Sequence, residues 1–478
     1  MRKFITILLL LSCQGICFAQ NDVRDYVSNV LLKDAEISNA SIALMAVGPD
    51  GDVIVQYNQT VPMVPASNTK LVTTGLAMSC LGPDFRFRTA VSTSGEVLPD
   101  GTLEGDLYVV GGADPTLASD MDGVLPADSL FAVWTEALRT AGISRITGNV
   151  VGDGRFLDDD VIPGTWEWDD LGFVYGNGAC GLSFAKNISS FEVCPGLDVG
   201  DEASVIPLPP YSPGMTYLNE IATVDGQACR VQYHTAGIGS VGRFSGSIGI
   251  GRRTDTLIFS NKSGSLTCAC AFADYLAKSG ITCGGYDDRA VSQCLDKICV
   301  TLSPALRDIV SETNHESDNF FAETIFKTFG RLYSGEGSYS AASRGARFYL
   351  DSLGVSLRGY LQNDGSGLSR HNYISPKFFC EFLTMMEGQA CFPDYLASLP
   401  QPGGEGTLSG FLSGKDSVLK NRIHAKSGSM EGVKCYSGYV ETEGGGYIKF
   451  SIMLNNFSCP VRRIMPLVEG FVERLALQ

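Results

Sequence analysis

The hydrophobic pattern divides the chain into three textures. Residues 41–47 (SIALMAV) are apolar, 48–51 (GPDG) signal a turn and 53–57 (VIVQY) return, which predicts a hairpin. After Pro65 apolar residues occupy every side of a helical segment running to Cys80 (Leu71, Val72, Leu76, Ala77, Met78). A helix apolar all round belongs in the middle of a domain. Between about Phe85 and Asp296 the texture changes to short alternating runs such as 105–110, 146–152 and 248–260, broken by Gly, Pro and Asp. Helical periodicity interrupts it at 127–141 and 269–278. Helices return at 305–313, 319–330, 340–353 and 376–387, followed by strands at 433–441 and 447–454 and a helix after Pro460. Terminal strands able to join the first hairpin predict a discontinuous domain, residues 20–85 plus 297–478. Around residues 86–296 it carries an inserted, mainly β region of two lobes.

Composition narrows the function classes. The formal charge is −16 and charged residues make up only 18% of the chain. So acidic a chain lacks the basic surface that neutralises phosphates, which argues against a nucleic-acid partner. Only four His are present, His234, His315, His371 and His424, and no two lie at i, i+4, so a histidine-rich metal site is not expected. Arg2 and Lys3, the apolar run 4–11 and the small-x-small signal Cys17-Phe18-Ala19 read as a signal peptide over 1–19, placing the protein in the periplasm or outside the cell. Lipoprotein processing at Cys13 is the less favoured reading. No stretch is long and apolar enough to predict a membrane span. Beyond Cys13 and Cys17 an odd number of cysteines remains, and 268–299 holds five of them without a C-x2-C pair. That spacing speaks against zinc, and export favours some disulfides.

Several motif matches fail on context. Gly237-Ile238-Gly239-Ser240-Val241-Gly242 fits GxGxxG, but the residues after it are strand-like, with no helix to receive a pyrophosphate. No G-x-S-x-G elbow occurs. The more informative set is Ser-x-x-Lys, Ser-x-Asn and Lys-Ser-Gly. Ser-x-x-Lys occurs at Ser67–Lys70, Ser183–Lys186 and Ser417–Lys420; Lys-Ser-Gly at Lys262–Gly264, Lys278–Gly280 and Lys426–Gly428. Only Ser67-Asn68-Thr69-Lys70 opens an apolar helix. There the hydroxyl and the ammonium share one face at i, i+3, helix N–H groups lie nearby, and enclosure would lower the Lys pKa toward base competence. Ser317-Asp318-Asn319 sits at a helix boundary, where a cap alone would explain it. With Ser67 and Lys426 it becomes a candidate proton relay and amide clamp. Lys262 reads as part of a polar turn and Lys278 as a helix end, so both are accounted for without function. Lys426-Ser427-Gly428-Ser429 follows the other two motifs in an extended setting, suited to lie against a peptide and bind its carboxylate.

On these residues the sequence resembles the serine active-site penicillin-recognising enzymes, specifically the D-alanyl-D-alanine carboxypeptidase/endopeptidase group of the penicillin-binding protein 4 type. The long interval 71–316 between the first two motifs carries the resemblance, together with 111–117 (GGADPTL), 364–370 (DGSGLSR) and 406–408 (GTL). Ser427 stands where the family usually has Thr, which keeps the hydroxyl and drops a methyl.

The resemblance implies an α/β (α+β) fold: a transpeptidase-like, β-lactamase-like domain with a large, mainly β insertion between the first and second motifs. It implies acyl-enzyme hydrolysis of D-Ala-D-Ala in peptidoglycan stem peptides, with carboxypeptidase and DD-endopeptidase activity and covalent capture of β-lactams. Ser67 would be the nucleophile and Lys70 the base. Ser317 would relay a proton, Asn319 would orient Lys70 and substrate, and Lys426, Ser427 and Gly428 would bind the terminal carboxylate. The N–H groups of Ser67 and Ser429 would form the oxyanion hole. No metal or organic cofactor is implied. The rival expectations are a β-lactamase and a non-catalytic peptidoglycan-binding protein of the same fold.

Overall fold

The computed structural model describes residues 22–236, 239–291 and 295–478. Residues 1–19, expected to be a signal peptide, and Cys294 lie outside them. The described residues form two compact units: those within 22–83, 310–318 and 343–478, and those within 84–309 and 319–342.

The first unit is built on a five-stranded antiparallel sheet. Its strands are β1 (Ser41–Val47), β2 (Val53–Tyr57), β3 (Ile423–Met430), β4 (Val433–Glu441) and β5 (Tyr447–Asn455), in the order β3-β4-β5-β1-β2. The first hairpin therefore joins the terminal strands, with Ser41 opposite Asn455 and Val47 opposite Lys449. One core gathers Leu44, Ile54, Ile452 and Leu454 with Val468, Phe471 and Val472 of the terminal helix. Helix α1 (Thr69–Leu81) follows a single 3-10 turn, Ala66–Asn68. Every residue from Thr69 to Met78 is buried, as its all-round apolar pattern requires. Burying each of Leu71, Val72, Leu76 and Met78 contributes roughly 1.5–3 kcal/mol. Helix α2 (Pro376–Glu387) packs on it so closely that a Cβ on Gly75 would lie 2.8 Å from the Phe382 ring. Ser375 caps α2, accepting from Phe378 N, and Pro376 occupies the first turn, where no N–H is missed.

The second unit holds a mixed sheet whose order runs Gly285–Asp288, Asn149–Asp153, Leu107–Val110, Arg88–Thr93, Asp296–Leu302. Helices Ala127–Thr140 and Gly264–Lys278 cover it, and Phe131, Trp134 and Phe272 cluster in that core. A separate core around Phe191, Tyr233, Phe244 and Phe259 joins two three-stranded sheets drawn from 188–260. Segments 297–309 and 319–342 belong to this unit, whereas the sequence pattern grouped them with the terminal part: Asp296–Leu302 pairs with Arg88–Thr93, a partnership periodicity does not encode. The helix expected at 269–278 begins earlier, at Gly264.

The expectation of disulfides is corrected. The twelve described cysteines, from Cys80 to Cys459, are all thiols. Burial alone explains several, since Cys268, Cys380 and Cys435 behave as small apolar residues whose thiols are pushed up in pKa by desolvation. Among the described residues no helix is long and apolar enough to cross a membrane. No cluster of three or more His, Cys, Asp or Glu among them is arranged to hold a metal ion.

Candidate active site

Ser67 lies in the 3-10 turn and Lys70 in the first turn of α1, so the local fold alone brings them together. Lys70 Nζ donates to Ser67 Oγ at 3.1 Å. It also donates to the carbonyl of Ser366 at 2.9 Å, and its side chain is fully buried. Ala66 adopts a positive φ of 46°, which turns the chain sharply before Ser67, and Thr69 Oγ1 closes the turn by donating to Ala66 O.

The Ser366 carbonyl is itself braced. Buried Asp364 accepts from Gly367 N at 2.9 Å, from Ser369 N at 2.6 Å and from Asn372 Nδ2 at 2.8 Å. Thr73, one turn beyond Lys70, donates to Gly365 O and accepts from Gln362. Gly367 has φ of 87°, and a Cβ there would overlap the Ala66 carbonyl oxygen, so only glycine fits. Sequence reasoning quoted 364–370 only as a family-like segment. Its function as the mount of a Lys70 acceptor depends on a contact across 296 positions, which no local pattern announces.

Strand β3 brings the Lys-Ser-Gly motif against the same turn. A Cβ on Gly428 would lie 2.5 Å from Pro65 O and 3.1 Å from Asn68 N, so this glycine permits the close approach. Asn68 Nδ2 donates to Ser437 Oγ of β4 at 2.8 Å, which fastens the turn to the sheet. Lys426 is fully buried and donates to Ser427 O at 3.0 Å; Ser427 is 8% exposed. Burial holds the Lys426 pKa well below the usual lysine range, and the nearby Lys70 and Lys434 cations lower it further. A buried lysine without a carboxylate partner gains its counter-charge when a ligand brings an anion beside it, which favours its protonated form. Ser429 follows in the same strand, outside its buried part.

Ser317 has φ of 58°, a left-handed turn between helices Leu306–His315 and Asn319–Ser334. Three residues earlier Asn314 Nδ2 reaches Thr74 Oγ1 of α1 at 3.3 Å and Ser398 Oγ at 3.0 Å, and Thr74 Oγ1 donates to Lys70 O. The chain approaching Ser317 is thus tied to the helix that carries Lys70. The 406–408 segment supports the same corner, with Thr407 N donating to His315 O at 3.0 Å. Asn319 opens its helix within the second unit, where Nδ2 donates to Tyr175 O at 2.9 Å. Tyr175 escaped the sequence reading entirely.

The rival motif copies lack this setting. Ser183 is buried and donates to Cys180 O, while Lys186, at φ of 54°, pairs with Asp120. Ser417 opens a helix too, but that helix is five residues long and has no buried residue. Lys278 ends its helix and Gly280 follows at φ of 85°, as expected. After Gly239 the chain forms strand Val241–Gly249 rather than a helix, which leaves the GxGxxG match without a phosphate site; Gly237 and Ile238 lie outside the described residues.

Comparison with known proteins identifies the family and the fold. The profile of the D-Ala-D-Ala carboxypeptidase 3 (S13) family matches residues 24–466. A D-alanyl-D-alanine carboxypeptidase of Actinomadura sp. (strain R39) is 26% identical over 90% of this chain and 81% of its own. The D-alanyl-D-alanine carboxypeptidase DacB of Haemophilus influenzae is 24% identical over 90% of this chain and 88% of its own. Among solved structures, penicillin binding protein 4 of Haemophilus influenzae superposes with a TM-score of 0.79 at 23% identity, covering 91% of this chain and 95% of that one. This likeness shows a shared penicillin-recognising fold.

Proposed function

Because the chain belongs to the D-Ala-D-Ala carboxypeptidase 3 (S13) family, we propose that it is a serine D-Ala-D-Ala carboxypeptidase and DD-endopeptidase acting on peptidoglycan stem peptides. One observation carries the reading: the buried Lys70 Nζ lies 3.1 Å from Ser67 Oγ at the start of an enclosed helix, where its neutral amine can take up the hydroxyl proton. A proton acceptor at that distance activates a hydroxyl nucleophile. Ser67 Oγ attacks the carbonyl of the D-Ala-D-Ala bond, and its proton passes to Lys70. Ser317 relays a proton to the leaving amine, and Asn319 orients Lys70 and the substrate amide. Lys426 and Ser427, with Gly428 allowing close approach, bind the terminal carboxylate. The N–H groups of Ser67 and Ser429 stabilise the tetrahedral oxyanion, worth roughly 3–4 kcal/mol per donor in comparable sites. Water then releases the acyl group. No metal or organic cofactor enters this chemistry.

A β-lactam presents the same acyl carbonyl and carboxylate, so Ser67 captures it covalently. The basic and apolar pattern of residues 1–19 supports action in the periplasm or outside the cell. The test exposes purified protein to a penicillin and to a D-Ala-D-Ala pentapeptide. A penicilloyl mass adduct on Ser67 with release of D-Ala is the expected result. Hydrolysis of penicillin at many cycles per second without D-Ala release replaces the reading with a β-lactamase. Neither adduct nor release leaves a non-catalytic binding protein.

A further inference from the structure

Lys262, which the sequence accounts for as part of a polar turn, is held inside the second unit and reaches the segment that anchors Asn319. Val174–Gly176 is one 3-10 turn, and two of its successive carbonyls are occupied. Tyr175 O accepts from Asn319 Nδ2 at 2.9 Å, and Gly176 O accepts from Lys262 Nζ. The neighbouring rings add no apolar anchor: Phe173 and Tyr175 stack on each other with centroids 5.2 Å apart but remain 38% and 44% exposed, and the Tyr175 hydroxyl donates to Asp170 Oδ1 at 3.1 Å. The turn is fixed from within by polar bonds. We infer that Lys262 is a positioning residue for Asn319: by gripping Gly176 O it sets the place of Tyr175 O, and with it the orientation of the Asn319 amide.

This inference rests on the active-site reading of Asn319. Lys262 lines a polar cleft of about 510 Å³ whose charged walls are Arg155, Asp158, Asp159, Asp288 and Arg289, and none of these forms an ion pair with it. Arg155 is engaged by Asp153, Arg289 by Asp106 and Asp287, and Asp158 by Lys327. Burial lowers the Lys262 pKa to about 7, with no charged neighbour contributing. The protonated form makes the stronger, charge-assisted bond to the carbonyl, so the grip loosens as pH rises through that value.

The test measures kcat/KM on a D-Ala-D-Ala peptide across pH 6–9 for the wild type, Lys262→Met, Lys262→Arg, Asn319→Ala and Lys262→Met/Asn319→Ala. Lys262→Met should lose about tenfold, the size expected from one charge-assisted hydrogen bond. Lys262→Arg, charged throughout, should stay within about threefold of the wild type and lack the decline that sets in above about pH 7. The double variant should lose no more than Asn319→Ala alone, because both substitutions break one chain of contacts. A folded Lys262→Met with full activity, or independent losses that multiply in the double variant, overturns the inference while the active-site reading stands. Full activity in Asn319→Ala removes the active-site reading and the inference together. Should Lys262→Met fail to fold, the Lys262→Arg profile decides: a decline above about pH 7 that persists in that variant refutes the positioning role.

Discussion

The carbonyl of Ser366 accepts a hydrogen bond from Lys70 Nζ at 2.9 Å, although the two residues stand 296 positions apart. The bond aims Lys70 Nζ while a second contact holds it at Ser67 Oγ. In the proposed mechanism a base steered by a backbone acceptor keeps its direction whether or not substrate is present, so less reorganisation accompanies the reaction.

Gly367→Ala tests that mount. The new methyl would overlap Ala66 O at a backbone angle that disfavours alanine. A loss of roughly 1–3 kcal/mol in stability is expected by thermal unfolding. The surviving folded fraction should acylate with penicillin at least about tenfold more slowly. Wild-type acylation in this variant would show that the Ser366 carbonyl is dispensable.

Ser67→Ala should abolish covalent penicillin labelling and leave the melting temperature near wild type, because it removes one hydroxyl from a turn fastened by Thr69, Asn68 and Gly428. An intact-mass adduct that persists and maps to Ser183 or Ser417 would assign the nucleophile elsewhere.

Lys426→Ala should reduce both D-Ala release and β-lactam acylation by about a hundredfold, through loss of the buried counter-charge to the carboxylate. Lys278→Ala, at the exposed end of a helix in the second unit, should remain near wild type. Equal losses in the two variants would remove the special status of β3.

Asp114 offers a pH signature of stability. Burial raises its carboxyl to about 6 in the folded chain, against the ordinary value of 3.8, despite hydrogen bonds from Thr116 N and Oγ1. A carboxyl raised on folding favours the native state below pH 3.8, and that contribution is lost as pH rises through about 6. Asp114→Asn keeps an acceptor for Thr116 and cannot ionise. Its unfolding free energy, followed by thermal melting, should therefore gain on the wild type between pH 4 and pH 7, by roughly 2–3 kcal/mol at most. A difference independent of pH would place the Asp114 ionisation elsewhere.

Deacylation separates peptidase from β-lactamase. Fast penicilloyl hydrolysis needs a base holding water on the acyl carbonyl. Glu323 follows the second motif but is fully buried inside helix Asn319–Ser334. A small D-Ala product diffuses away and admits water, whereas the opened β-lactam stays tethered. The penicilloyl adduct should last minutes or longer in quenched mass spectrometry, on a preparation that releases D-Ala from a pentapeptide. Turnover within seconds would contradict this.

What could be read from the chain follows from the range of the interactions. The hairpin strands 41–47 and 53–57, the helix 376–387 and the strand 433–441 stand where periodicity puts them, because alternation, a Ser375 cap and a GPDG turn are local signals. Ser67 and Lys70 were equally legible, since one helix turn sets their distance. Ser366, Tyr175 and the grip of Lys262 on Gly176 were not. Each depends on two segments meeting whose separation exceeds any window of periodicity, and Lys262 had the misfortune of a neighbouring Ser-Gly that mimics a turn.

The pairing of β1 with β5 carries a further implication for biogenesis. Ser41–Val47 lies near the start of the chain and its neighbour, Tyr447–Asn455, near the end. During synthesis, therefore, the hairpin and the nucleophile helix emerge hundreds of residues before the strands that cover them. Until then β1 presents an unpaired edge, the kind of surface that templates aggregation. A nascent chain halted before Tyr447 would possess Ser67 and Lys70 but not the sheet that seats them. Activity is thereby withheld until Tyr447–Asn455 has been made, and truncation before that strand should yield an inert, chaperone-dependent polypeptide rather than a weak enzyme.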